Sequence, residues 1–354
     1  MWLEKTTVQI FDTEGCTVFK IPTLISTSSN SVLAIFEGRV DTRTDDTQTR
    51  ILMRKSEDHG KTWSPIKVIY AETGHNQTIG NPAPVVDYQT GAIWLFFCRN
   101  NHDVLVTRSD DDGKTWTQPQ DMTEQLRKPY QRGFYATGPG HGIQLQHGSK
   151  KGRLIIPAYA GQIATDEQSA GSKSFVIYSD DHGKTWNAGQ TTRRGEPNSA
   201  DGNECMVVEL PDGSLYMTIR DNFQSGYRAY ARSHDAGNTW TEIQHDKDLA
   251  ESICQASITA FKTPEGKDAV LFCNPAVKNQ GRYNKQARRK LTLRVSYDGC
   301  RSWPVSKVLE FGPSAYSDLT VLPDGNLGVL YEAGQGKKEP TNGYDDELVF
   351  VRFS

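Results

Sequence analysis

Ten side chains of this sequence could do chemistry together: Lys20, Arg39, Arg220 and Arg288 as cations, Glu37, Asp45, Glu204 and Glu332 as carboxylates, and Tyr159 and Tyr316 as phenols. Guanidinium groups offer a carboxylate a planar fork, and an ammonium offers it one compact charge. A carboxylate beside a phenol can take its proton. A funnel in which these groups converge suits an anionic sugar. They are scattered over the whole sequence, so only the fold can bring them together. Each falls at the start of a first strand, at the end of a second strand, or in the loop from second to third strand of a four-stranded unit. Strands alternate in direction, so these places share one end of the sheets.

The elements that must do the positioning are set by an internal repeat. The pattern S-x-D-x-G-x-T-W runs from Ser56 to Trp63, Ser109 to Trp116, Ser179 to Trp186 and Ser233 to Trp240. A degraded fifth copy, Ser296 to Trp303, has Cys300 in place of glycine and Ser302 in place of threonine. Ser and Asp side chains bond nearby backbone N–H groups, Gly allows a positive φ, and Trp buries a large ring between sheets. The box is therefore a structural turn; calcium binding by its aspartates is the other use of such a cluster, but the spacing is not that of an EF-hand loop.

A strand-like run precedes each copy: RILMRKS, DVLVTRS, SFVIYS, YRAYARS and LTLRVS. Each box is thus a hairpin between third and fourth strands, at the end opposite the ionisable cluster. The remaining alternating runs complete five units. SDLTVLP, NLGVLYE and ELVFVRF supply three strands of a sixth, and the N-terminal TTVQIFD adds the fourth and closes the ring. The expectation is an all-β, six-bladed β-propeller, one domain over 1–354.

Composition narrows the function classes. The chain has 354 residues, 23% charged and 10% aromatic, with a net charge of −3. That gives no global basic field, so nucleic acid is not an expected partner. Apolar runs stay far short of a membrane span. Six scattered cysteines without a CxxC pair read as buried free thiols and point to a reducing compartment. The N-terminus lacks a basic n-region and an apolar h-region, so a cytoplasmic location is expected.

The sequence resembles the exo-sialidase (neuraminidase) family with its Asp-box repeats. The matching segments are FKIPTL from Phe19, EGR at 37–39, GNPAPV from Gly80, ATGPGHGIQL from Ala136 and IPAYA from Ile156. NECMVVEL from Asn203, RRKLTLRVS from Arg288, AYSDL from Ala315 and GVLYE ending at Glu332 complete them. The resemblance implies a sialidase-type propeller and a retaining exo-α-sialidase that needs no cofactor or metal. Its partners would be sialylated oligosaccharides, glycoproteins or glycolipids. Tyr316 matches the nucleophile and Glu204 the carboxylate that activates it. A sialoside carries its own carboxylate on the anomeric carbon, so a neutral phenol avoids the repulsion an Asp or Glu nucleophile would meet. Sialidases are the tyrosine exception among glycosidases.

Arg220 and Arg288 match two of three arginines that grip the sugar carboxylate. The third position, in the F/Y-R-I-P motif, holds Lys20, with Glu332 where its brace is expected. The lysine either pairs with the substrate, shifts substrate choice toward a related 2-keto-3-deoxy sugar acid, marks an inactive form, or is a solvated strand-end residue. The acid/base falls in the loop after EGR, where Asp45 is favoured and Asp46 and Asp41 compete. Arg39, Glu37 and Tyr159 are expected to line the sugar site. A propeller that binds sialylated glycans without catalysis remains the rival from another class, since Asp boxes alone would fit it.

Overall fold

The computed structural model describes residues 3–10, 13–42, 44–73, 77–164, 170–195, 201–223, 225–280, 284–334 and 347–354. Almost every element is a strand; the described helices are the single turns Thr123–Leu126 and Lys285–Ala287. No helix among the described residues is long and apolar enough to cross a membrane.

The described strands form five sheets. Val18–Ser26, Val32–Arg39, Thr49–Ser56 and Lys67–Tyr70 make one antiparallel meander, and Ile79–Val86, Ile93–Arg99, Asp103–Ser109 and Gln120–Asp121 the next. The third is built on Leu154–Gln162 and Gly171–Ser179, the fourth on Cys205–Glu209, Leu215–Ile219, Tyr227–Ser233 and Glu242–Ala250. The fifth has seven strands, ordered from Ser257–Lys262 to Leu3–Ile10. Within it, Val305–Val321 changes partner midway: Val305 to Pro313 pairs with Arg289–Ser296, and Ser314 to Val321 with Leu327–Ala333. Leu3–Ile10 pairs antiparallel with Glu347–Phe353. The first strands touch one another in sequence, and Val305–Val321 returns to touch Val18–Ser26, so the sheets close into a ring.

The third sheet departs from expectation. GIQLQ contributes only Ile143–Gln144, and Gln131–Thr137 supplies the longer first strand. Gly142 lies just before the short strand, where a Cβ would be 2.2 Å from the Ile155 carbonyl oxygen. The chain can come this close to its neighbour only without a side chain.

The boxes fold as their chemistry dictates. Ser56 Oγ accepts from Gly60 N at 2.7 Å, and Asp58 accepts from Thr62 N at 2.8 Å and from Thr62 Oγ1 at 2.6 Å. The same bonds recur in the other four copies; in the fifth, Ser302 replaces threonine and Cys300 N takes the glycine's place. Cys300 adopts φ 62°, so the turn survives a residue that tolerates this region less well. Trp63 packs edge-on against Phe350, 5.3 Å between centroids, and so ties the first sheet to the C-terminal strand. All six cysteines are free and buried.

Candidate active site

Two inner strands carry the same device at the end opposite the boxes. Val18–Ser26 slips register between Lys20 and Thr23, and Ile79–Val86 between Gly80 and Ala83. A proline follows the bulged residue in each, and Ile21 and Asn81 take φ 52° and 58°. The bulge re-aims the backbone. Ile21 N donates to Glu332 Oε1 at 3.0 Å, and Asn81 N donates to Glu37 Oε1 at 2.7 Å. The second oxygen of each carboxylate braces a cation. Glu332 Oε2 lies 2.8 Å from Lys20 Nζ, and Glu37 Oε2 accepts from Arg39 Nε at 3.0 Å and Nη2 at 2.8 Å.

All four of these charged side chains are buried, which is tolerable because each pair is matched and further hydrogen-bonded. Both Glu37 oxygens are thus engaged, one by Arg39 and one by the neighbouring bulge. Burial works against the Arg39 charge, but Glu37 and Asp45 outweigh it and hold the guanidinium firmly protonated. Its third donor, Nη1, meets Asp45 Oδ1 at 2.6 Å. The Asp45 side chain is 85% exposed, so a substrate above it can reach the carboxyl. Asp46 is solvated and bonds locally to Thr44, which holds its carboxyl below the usual range.

Tyr316 sits on a third bulge, between Ser314 and Ser317 of Val305–Val321. Its hydroxyl donates to Glu204 Oε1. Arg220 Nη1 bridges the two, 2.8 Å from Glu204 Oε2 and 3.2 Å from Tyr316 Oη. Arg288 lies over the Tyr316 ring at 5.5 Å, steadied by an Nη2 bond to the Ile253 carbonyl at 3.0 Å. Burial pushes the Tyr316 phenol well above its ordinary range, Glu204 adds to this, and Arg220 and Arg288 pull it back. The resting phenol is therefore neutral, and any attack by it must hand its proton to Glu204 as it proceeds. Burial opposes the Arg220 charge, but Glu204 overrides it.

Tyr159 is buried, with Phe134 5.4 Å from its ring. Burial raises its phenol most; Glu204 and Asp45 push it the same way, and Arg220 pulls it back. The ten sequence-predicted residues thus share one end of the ring, linked through Lys20–Glu332, Arg39–Asp45 and Glu204–Arg220–Tyr316.

Sequence reasoning missed the residues that knit this end together. Asp318, fully buried, accepts from Leu24 N at 2.8 Å, from His141 N at 3.1 Å, and pairs with His141 Nδ1 at 2.9 Å. It fastens three parts of the ring two residues after Tyr316. Its place inside AYSDL was the available signal. Asn81, inside GNPAPV, carried the same kind of signal; Gln255, which accepts from Ser317 N at 3.0 Å, gave none.

Known proteins share this arrangement of sequence and fold. A family model described as a BNR repeat-like domain matches residues 30–329. The sialidase of Micromonospora viridifaciens is 35% identical over 91% of this chain, and Sialidase-2 of Cricetulus griseus is 30% identical over 96% of this chain and 93% of its own length. The chain belongs to the sialidase family. It spans about half, 51%, of the Micromonospora sialidase. Among solved structures, the Hadza microbial sialidase Hz136 superposes with a TM-score of 0.82 at 28% identity, covering 99% of this chain and 68% of that one. The ring of sheets is thus an all-β fold of the sialidase propeller type.

Proposed function

We propose that this sialidase-family chain is a retaining exo-α-sialidase that uses Tyr316 as nucleophile within a single six-bladed domain. A count of six blades is supported by the partner switch in Val305–Val321, on either side of which the seven-stranded sheet has four strands. The observation that carries the function is the buried Tyr316–Glu204 hydrogen bond with Arg220 bridging both partners. A tyrosine that only packed in the core would not need a carboxylate and a guanidinium at its hydroxyl.

In this mechanism Lys20, Arg220 and Arg288 hold the carboxylate of a terminal sialic acid and orient its ring. Tyr316 Oη bonds to the anomeric carbon as its proton passes to Glu204. The bond to the aglycone oxygen breaks, and Asp45 protonates that oxygen. Asp45 then takes a proton from water, the water oxygen replaces Tyr316 on the carbon, and Glu204 returns the proton to the phenolate. Two inversions leave the configuration unchanged. The substrates are sialylated oligosaccharides, glycoproteins or glycolipids, and a cytoplasmic location accords with six free thiols.

Lys20 supplies one compact charge where a bidentate fork would otherwise stand, and Glu332 fixes its direction. A second reading rests on this residue: the site is tuned to a related 2-keto-3-deoxy sugar acid. Release of a fluorescent aglycone from an α-sialoside by wild type and by Lys20→Arg tests both. Turnover by wild type is the expected result, with Lys20→Arg changing KM more than kcat. Turnover by Lys20→Arg alone would favour the second reading, and turnover by neither would contradict catalysis on sialosides.

A further inference from the structure

Glu204 precedes the strand Cys205–Glu209, and the residues before it are fastened both to Gly171–Ser179 of the third sheet and to Arg193–Arg194, which pairs with Glu242–Ala250 in the fourth. Asp201, 4% exposed, meets Lys173 Nζ at 2.7 Å and Arg194 Nε at 2.9 Å, with Arg194 Nη2 on its other oxygen. Lys173 is 1% exposed. Gly202, at φ 125°, lies so close to Gly171–Ser179 that a Cβ would sit 2.3 Å from Ser174 N. Asn203 is held at both ends by Ser174 Oγ, which donates to its carbonyl at 2.6 Å and accepts from its N–H at 2.9 Å. Three consecutive residues are thus clamped before the chain reaches Glu204.

The same guanidinium touches the loop that carries Arg220. Arg194 Cζ lies 4.9 Å from the centre of the Phe223 ring, a cation–π contact. Phe223 follows Arg220 by three residues. Its N–H is tied to buried Asp221 at 2.8 Å, and Arg220 Nε bonds Asn222 Oδ1 at 3.0 Å. Arg194 therefore stands between the segment bearing Glu204 and the loop bearing Arg220, the two groups that meet at the Tyr316 hydroxyl. A planar guanidinium can hold a carboxylate through its edge and an aromatic ring through its face at once, which a lysine cannot.

We infer that Arg194, gripped by Asp201 and stacked on Phe223, is a positioning residue that sets Glu204 and Arg220 against Tyr316. It acts through these two neighbours. The proposal rests on Tyr316 being the nucleophile only for its effect on turnover; its effect on the Tyr316 hydroxyl stands apart from that.

The test uses the full chain labelled with ¹³C at tyrosine Cζ, the Tyr316 resonance being assigned by its absence from Tyr316→Phe. Arg194→Met and Phe223→Ala are compared with wild type; Phe223 is 44% exposed, so its loss spares the fold even where Arg194→Met does not. The expected result is a displaced Tyr316 resonance in both, partial restoration in Arg194→Lys, and kcat/KM on an aryl α-sialoside lower by about 10- to 100-fold, as sub-ångström misplacement of catalytic groups gives. A Tyr316 resonance unmoved in the folded variants overturns the inference. A displaced resonance in a protein whose wild type lacks turnover keeps the positioning role and sinks the sialidase proposal instead.

Discussion

Tyr316→Phe is expected to lower kcat on α-sialosides by about 10³-fold or more, a loss of about 4 kcal/mol in transition-state stabilisation, while KM changes little. The substitution removes one oxygen and nothing else. Glu204 keeps its ion pair with Arg220, and Arg288 still lies over the ring, so the carboxylate grip remains. What disappears is the oxygen proposed to bond the anomeric carbon, the one that donates to Glu204. Binding of free sialic acid, followed by calorimetry, is expected to survive alongside the kinetic loss. Full hydrolysis by this variant would mean that another group attacks.

Asp45→Ala carries the second large effect, and its size is set by the leaving group. General acid catalysis contributes about 10²- to 10⁴-fold, and it matters most where the departing oxygen is a poor leaving group. A sialoside of a sugar alcohol is therefore expected to lose kcat across that range. An activated aryl sialoside needs no proton to depart, so its first step stays fast; the second step, deprived of its base, becomes limiting and gives a burst of aglycone. Asp46→Ala is expected to remain within about twofold on both substrates, because that carboxylate is solvated and bonded to Thr44. The opposite pattern would move the acid/base to Asp46. The two side chains are one residue apart, and the contact between Arg39 Nη1 and Asp45 Oδ1 is the structural ground for choosing between them.

Much of this was legible because the signals are local. The four full Asp boxes close on themselves through Ser, Asp, Gly and Thr within seven residues, so their hydrogen bonds follow from the pattern. The strands around them follow from alternation. The ten candidate side chains were placed at one end by strand direction alone. What stayed hidden depends on distant partners. Nothing in KVLEFGPSAYSDL announces that one strand serves two units, since pairing is chosen by neighbours far along the chain. The bond from Asn81 N to Glu37, 44 residues apart, has no local signal either. The grip of Lys173 on Asp201 and the bond of Leu24 N to Asp318 join segments 28 and 294 residues apart. Register breaks such as the slip after Lys20 are equally silent, yet they aim Lys20, Asn81 and Tyr316.

Covalent trapping tests the central claim most directly. A sialosyl fluoride bearing a second fluorine at C3 has a good leaving group, while the electron-withdrawing fluorine slows both steps, so the sugar is expected to accumulate on the nucleophile. Intact mass followed by peptide mapping is expected to show one fluorosialosyl group per chain, on Tyr316, with none on Tyr316→Phe. Adduct on Glu204 or on any other side chain would contradict the account, as would release of inverted sugar from a natural α-sialoside by wild-type enzyme that never carries the label.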